Sequence, residues 1–249
     1  MKGTACLTRL RRVSDLGLLP IRRATSFLRP LPDFLVIGTQ RGGTSSFYDL
    51  LSRHPGIAPS FRKEVHFFDR KFAKGPGWYR AHFPLNRSNN SKLTGEATPY
   101  YLFDPRAPSR VLGLIPEVRL VLLLRDPIER AYSHHARERR LGREPLEFEA
   151  AIEKEAERLD GEFQRLGPRD AYDGFHHRYH SYLARGRYAD QLEGWLECFD
   201  RSRFLVLRSE DFYANPSGAL AETGRFLKLP TWRPPEPRWL QRGAYAEMP

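Results

Sequence analysis

Residues 34 to 48 read Phe-Leu-Val-Ile-Gly-Thr-Gln-Arg-Gly-Gly-Thr-Ser-Ser-Phe-Tyr. The apolar run Phe34, Leu35, Val36 and Ile37 has the pattern of a buried strand in a parallel sheet. A turn carrying Gly38, Gly42 and Gly43 follows, and Thr44, Ser45 and Ser46 open a segment with helical patterning. Strand, glycine turn and hydroxyl-rich helix start together suit a phosphate: glycines let backbone N–H groups converge on the anion, and the helix N-terminus adds its positive dipole end. The spacing of Gly38 and Gly43 fits the first half of a nucleotide-binding P-loop, but Thr44 stands where that loop needs its lysine. The loop's cation is Arg41, so the segment lacks the group that reaches the β- and γ-phosphates of ATP. An ordinary glycine-rich turn of an αβ protein remains the competing reading.

Working outward, 249 residues suit one large α/β domain or two small ones. A hydrophobic content of 40% with 12% aromatics excludes wholesale disorder. The net charge of +11 points to a polyanionic partner without choosing among a phosphorylated cofactor, an acidic polysaccharide, nucleic acid and a membrane surface. Cys6 and Cys198 provide neither a disulfide framework nor metal-ligand spacing, which suits a reducing compartment. No apolar run approaches the ~20 residues needed to span a bilayer. Arginines 9, 11, 12, 22 and 23 interrupt every candidate signal-peptide core, so the expected location is cytoplasmic.

Residues 1 to 31 read as a basic arm, either an amphipathic helix or a loosely held terminus, and 32 to 249 as the domain. The pattern predicts strand 34–38, helix 44–53, a loop-like stretch 62–92, strand Leu93 to Ala97 and a helix after Asp104-Pro105. It continues with the unbroken apolar strand Arg119 to Leu124, a helix from Pro127 to about 141, and a charged helix over about 146–159 with a solvated face. A helix over about 178–198, strand Phe204 to Leu207 and a closing helix near 216–227 complete the alternation. The expected fold is one α/β domain with a central parallel sheet flanked by helices, binding its ligands at the carboxyl ends of the strands.

Two further places carry candidate chemistry. Arg125 follows the second apolar strand and Ser133 lies two turns into the next helix, so a cation and a hydroxyl are available to clamp a second phosphate. A structural bridge from Arg125 to Asp126 or Glu129 is the alternative. In Arg62-Lys63-Glu64-Val65-His66-Phe67-Phe68-Asp69, strand-like alternation puts Glu64, His66 and Phe68 on one face. Carboxylate beside imidazole suits general-base work on a hydroxyl. An exposed charged loop over a buried Phe pair is the alternative.

In combination these blocks resemble the PAPS-dependent sulfotransferases, most closely the heparan sulfate glucosaminyl 3-O-sulfotransferases and related bacterial proteins. Ile37-Gly38-Thr39-Gln40-Arg41-Gly42-Gly43-Thr44 looks like the loop that grips the 5′-phosphosulfate. Lys63 to Asp69, followed by Gly77-Trp78-Tyr79, looks like the catalytic segment, and Leu123-Leu124-Arg125-Asp126-Pro127 with Glu129-Arg130 and Ser133 like the 3′-phosphate block. The likeness covers about residues 33 to 230. It implies a three-layer P-loop-NTPase-like fold and 3′-phosphoadenosine 5′-phosphosulfate (PAPS) as donor. Backbone N–H groups of Gly42, Gly43 and Thr44 and the hydroxyls of Thr44 and Ser45 are implied to cradle the 5′-phosphate. Arg125 and Ser133 are implied to bind the 3′-phosphate, Glu64 to be the base, and His66 to orient it or the acceptor. No metal is implied, and no nucleic acid partner; the acceptor is a hydroxyl of a carbohydrate, such as an anionic glycan, or of a small metabolite.

The sequence departs from the family pattern in three respects. Arg41 stands where relatives carry a lysine that touches the bridging oxygen; an arginine there neutralises charge without readily yielding a proton. Gly95-Glu96-Ala97-Thr98-Pro99 lacks the lysine that animal enzymes carry at the position of Ala97, which leaves their polysaccharide specificity open. The family continues into a cofactor-covering loop and a last helix beyond the point reached at Pro249, a short C-terminal end in this reading. Two rival functions follow: a nucleotide-dependent phosphotransferase on the same fold, and a basic module that binds the nucleotide without turnover.

Overall fold

In the computed structural model, residues 18–85, 92–166, 174–237, 239 and 240 are described. Most of the basic arm and the last nine residues therefore lie outside the described residues. Five strands form one parallel sheet in the order β2-β3-β1-β4-β5: β1 (Phe34–Gly38), β2 (Ile57–Pro59), β3 (Leu93–Ala97), β4 (Arg119–Leu124) and β5 (Phe204–Arg208). Central β1 is buried along its whole length, so its two faces supply two cores. Because side chains alternate across a strand, Leu35, Ile37, Leu120 and Leu122 pack with Val65, Phe67, Phe68, Tyr79 and Trp195 on one side. On the other, Phe34, Val36, Val121 and Leu123 pack with Phe47, Leu50, Phe212 and Leu220. Helices cover both faces, which makes three layers.

After β1 the chain enters α1 (Thr44–Leu51), which belongs to the second core; the helices that connect β3 to β4 and β4 to β5 contribute Val111 and Trp195 to the first. Connections therefore leave β1 and β4 on opposite faces, and this reversal opens a crevice beyond their carboxyl ends. Further α-helices are α2 (Phe67–Arg70), α3 (Gly75–Arg80), α4 (Ala107–Leu114), α5 (Pro127–Arg140), α6 (Phe148–Glu153), α7 (Glu155–Leu159), α8 (Glu162–Arg165), α9 (Phe175–Tyr179), α10 (Tyr188–Leu196), α11 (Ser209–Ala214) and α12 (Pro216–Leu227). Helix α5 starts where the sequence puts it: Pro127 occupies the first turn and the Asp126 carboxylate accepts from the N–H groups of Ile128 and Glu129. No helix among the described residues is long and apolar enough to cross a membrane.

Several elements differ from the sequence reading. The edge strand β2 is three residues long and ends in Pro59, too short to show a pattern. The stretch 62–92 holds two short helices, α2 and α3. The helix expected over 146–159 breaks at Lys154, and its acidic face is not wholly solvated: Glu155 is buried and accepts from the N–H groups of Tyr182, Leu183 and Ala184. Those three bonds explain a second departure. Donors taken by Glu155 are withdrawn from the i−4 ladder, and the carbonyls of His177 and Arg178 accept from the buried Arg185 guanidinium instead. The helix expected over 178–198 is thus interrupted, leaving α9 and α10 as separate pieces. The described part of the basic arm is also not loosely held: Arg22 and Arg29 donate to the carbonyls of Ala81 and Phe83, each at 2.7 Å.

Candidate active site: an arginine-lined cleft at the carboxyl ends of the strands

The crevice is a cleft of about 830 Å³. One end is walled by the glycine turn and the start of α5, the other by the segment around Glu64 and by α9. Arg41, Arg70, Arg125, Arg137, Arg143 and Arg178 line it, against the carboxylates of Glu64, Glu129 and Glu210. The charge excess seen in the sequence is thereby focused in a concave, partly desolvated space, where it attracts anions most strongly.

At the first end, Thr39 N–H donates to the Leu123 carbonyl and Gly42 N–H to the Thr39 carbonyl, folding the turn back onto β4. A Cβ at Gly42 would lie 2.7 Å from the Leu123 oxygen, and Gly43, at φ +83°, would place one 2.8 Å from the Tyr213 hydroxyl. Both glycines are therefore required sterically. Gly43 caps α1 without a side-chain bond, and the N–H groups of Gly43, Thr44 and Ser45 meet no acceptor among the described residues. Three unsatisfied donors at a helix N-terminus have the geometry to receive one anionic group. The Gly42 N–H, which the resemblance assigns to the 5′-phosphate, donates to the Thr39 carbonyl in this structure, and the Ser45 N–H is the third without an acceptor among the described residues.

Arg41, at φ +72°, sends its side chain to α5, where Nε donates to the buried Ser133 Oγ at 3.0 Å. Arg125 donates to the Arg41 carbonyl at 3.3 Å and to the Glu129 carboxylate at 3.0 Å. Of the two bridges considered from sequence, the one to Glu129 forms, and Arg125 lines the cleft as well. Arg41, Arg125 and Ser133, separated by up to 92 positions in the chain, thus meet within one hydrogen-bonded group.

At the opposite end, Glu64 and His66 come together by a route that alternation does not describe. Both adopt left-handed backbone, φ +59° and +56°, so the segment is not a strand, and Phe68 turns into the core instead of sharing their face. Side-chain anchors hold this backbone. The buried Glu96 carboxylate accepts from Val65 N–H, Thr98 Oγ1, Tyr79 OH and Tyr101 OH, and Tyr101 OH in turn accepts from Phe67 N–H at 2.8 Å. Burial raises the Glu96 carboxyl above its usual range in spite of these bonds.

His66 Nδ1 lies 2.8 Å from the fully buried Asp69 carboxylate, which also accepts from Arg178 at 3.1 Å. His66 Nε2 then faces Glu64, at 3.6 Å, and Lys63 Nζ donates to the same carboxylate at 2.7 Å. Burial works against the charged forms of His66 and Asp69, but their mutual attraction wins: the imidazole titrates above its ordinary value and the carboxyl below. Burial likewise opposes ionisation of Glu64, and hydrogen bonds from His66 and Lys63 overcome it, holding this carboxyl well below the usual range. The Glu64 side chain is still 43% exposed, so a molecule in the cleft can reach it.

Of the residues singled out from sequence, Arg41, Gly43, Thr44, Ser45, Glu64, His66 and Arg125 line this cleft; Ser133 is bonded to Arg41, and Gly42 lies between two lining residues. Asp69, Glu96, Arg143, Arg178, Tyr213 and Trp239 were not assigned one. Asp69 had a local signal, three residues from His66, whereas Arg178 lies 109 positions from Asp69 and has none.

The fold and the site together describe a three-layer parallel α/β protein with exposed N–H donors after its first strand and a carboxylate–imidazole pair across the same cleft. The chain belongs to the sulfotransferase domain family, which it matches over residues 31–238. It is 32% identical over 203 residues to heparan sulfate glucosamine 3-O-sulfotransferase 6 of Mus musculus, covering 81% of this chain and 53% of that protein. It is 29% identical over 265 residues to the membrane-associated sulfotransferase kil1 of Dictyostelium discoideum, covering 80% of this chain and 56% of that one. The chain thus spans about half the length of these relatives. Among solved structures, a sulfotransferase from Alicyclobacillus acidocaldarius superposes with a TM-score of 0.67 at 26% identity, covering 83% of this chain and 85% of that one.

Proposed function

We propose that the protein transfers a sulfuryl group from PAPS to a hydroxyl of an acceptor, a carbohydrate or a small metabolite. One observation carries this reading: an anion cradle with an arginine-and-serine group beside it, and an ionised carboxylate held by an imidazole, face each other across a single cleft. The pocket suits a nucleotide bearing two separate phosphate groups. The donors of Gly43, Thr44 and Ser45 suit one, and Arg125 with Ser133 the other. When bound, the donor supplies an activated sulfuryl group and leaves as adenosine 3′,5′-bisphosphate.

The chain's own residues account for the rest. Glu64 accepts the proton of the acceptor hydroxyl as the new S–O bond forms and the electron pair of the breaking S–O bond passes to the leaving phosphate. His66, pinned through Nδ1 to Asp69, keeps Nε2 on the Glu64 side and fixes where that carboxylate points. A carboxylate so strongly stabilised is a weak base, so its contribution depends on acceptor binding loosening its contact with Lys63. Arg41, in the loop beside the cradle, offers fixed positive charge where negative charge grows on the leaving oxygen; such preorganised charge is the main resource of this class of reaction.

Thr44 in place of the P-loop lysine disfavours a phosphotransferase. The test is transfer of labelled sulfate from PAPS across a panel of glycans, phenols and alcohols, paired with thermal shifts by adenosine 3′,5′-bisphosphate and by ATP with Mg²⁺. Stabilisation by the bisphosphate together with a labelled acceptor is the expected result. Stabilisation by ATP alone refutes the reading in favour of phosphotransfer. Bisphosphate binding without transfer to any acceptor leaves a non-catalytic binding module.

A further inference from the structure

Both side chains that suit the 3′-phosphate are already engaged within the protein. Arg125 Nη2 meets the Glu129 carboxylate at 3.0 Å, and Ser133 Oγ accepts from Arg41 Nε at 3.0 Å. The two bonds differ in kind. A hydroxyl that accepts from Arg41 keeps its own proton to donate, so Ser133 stays competent toward an anion. A guanidinium edge facing a carboxylate is less favourably placed, because an incoming phosphate must share that edge with the carboxylate or sit close to a like charge. Glu129 sits one turn after Arg125, at i+4, its side chain is 46% exposed, and it lines the cleft. The neighbouring Asp126 is occupied as the cap of α5 and Glu210 accepts from the Asp126 N–H, whereas Glu129 meets Arg125 Nη2 directly.

Resting on the PAPS reading above, we propose that Glu129 is an internal competitor for Arg125 that sets the affinity and selectivity of the 3′-phosphate subsite. A nucleotide with a 3′-hydroxyl leaves the Arg125–Glu129 pair intact. A 3′-phosphate must displace it and remain near a like charge. Donor and product share that phosphate, so the competition shortens the residence of the product bisphosphate as much as it weakens the donor. Glu129 acts through Arg125 and is therefore a positioning residue, not a catalytic one.

The experiment is calorimetric titration of adenosine 3′,5′-bisphosphate and of 5′-AMP into the wild type, Glu129→Gln and Glu129→Ala, with stopped-flow measurement of bisphosphate release. Removing a partly screened charge a few ångströms from a dianion is expected to tighten the bisphosphate by about three- to tenfold. The gain should appear mainly as slower release, while 5′-AMP changes by less than about twofold. Either substitution reads the effect, so misfolding of one leaves the other. An unchanged or weakened bisphosphate affinity in a folded variant, or equal tightening of both nucleotides, overturns the inference while the PAPS reading stands. A wild type that does not prefer the bisphosphate to 5′-AMP overturns both.

Discussion

Replacing Asp69 by Asn probes the group that fixes the proposed active site. Asp69 is fully buried, and its carboxylate serves two cationic partners, His66 Nδ1 at 2.8 Å and Arg178 at 3.1 Å. Charge-assisted bonds of this kind contribute about 1.5–3 kcal/mol each. Asn retains one acceptor oxygen and so keeps a neutral bond, about 0.5–1.5 kcal/mol, but removes the negative charge that faces the Arg178 guanidinium, whose side chain is 7% exposed. The balance is a loss of about 3–4 kcal/mol near pH 6, in line with about 3–5 kcal/mol for breaking a buried pair. The pH dependence carries its own sign. The folded Asp69 carboxyl lies below its ordinary 3.8, so its contribution is complete above that value and fades as pH falls through the folded one. The folded His66 imidazole lies above its ordinary 6.5, so its contribution is complete below 6.5 and fades as pH rises through the folded one. The difference between wild type and variant should therefore peak between about pH 4 and 6.5 and shrink on both sides. Urea denaturation of both proteins from pH 3 to 9 measures it. A difference below about 1 kcal/mol, or one that does not vary with pH, would refute the electrostatic account of how His66 is held.

Three other outcomes follow from the site. Glu64→Gln should lower kcat for sulfate transfer by about 10²–10⁴-fold with bisphosphate affinity nearly unchanged, and a variant retaining more than about a third of wild-type kcat excludes Glu64 as the base. Arg125→Ala should weaken adenosine 3′,5′-bisphosphate binding by about tenfold or more and 5′-AMP much less, as read by calorimetry; an equal loss for both would mean that Arg125 does not read the 3′-phosphate. Gly42→Ala forces a Cβ to within 2.7 Å of the Leu123 oxygen, so it should cost about 1–3 kcal/mol in denaturation and impair nucleotide binding; wild-type values for both would show that the turn has room to move.

The sheet was legible because its signal is local. Phe34–Gly38 and Arg119–Leu124 occupy the residues that their apolar runs predict, since a strand buried on both faces is largely apolar; Leu93–Ala97 also lies where the sequence reading puts it, although it buries Thr94 and Glu96. The positions of the glycine turn and of Arg125 at the end of β4 were equally legible, because a glycine-rich turn and the end of a parallel strand each have a short-range signature. The helix breaks at Lys154 and between Tyr179 and Tyr188 were not. The second depends on Glu155 and Arg185 capturing backbone groups of residues 177–184, and periodicity cannot report such capture.

The site divides along the same line. Sequence by itself determined which residue types are present for the proposed chemistry: Arg41, Gly43, Thr44 and Ser45 after the first strand, Arg125 and Ser133 after the fourth, and Glu64 and His66 between them. Tertiary structure alone decided how those residues are partnered. The left-handed backbone at Glu64 and His66 follows from anchors on Glu96 and Tyr101, the hold on Asp69 comes from Arg178 at 109 positions' distance, and Arg41 finds Ser133 across 92 positions. The physical reason is range. Strand burial and turn stereochemistry are set by neighbours in the chain, whereas hydrogen bonding and charge pairing in a desolvated cleft are set by neighbours in space, which the crossing of the connections at β1 and β4 brings together.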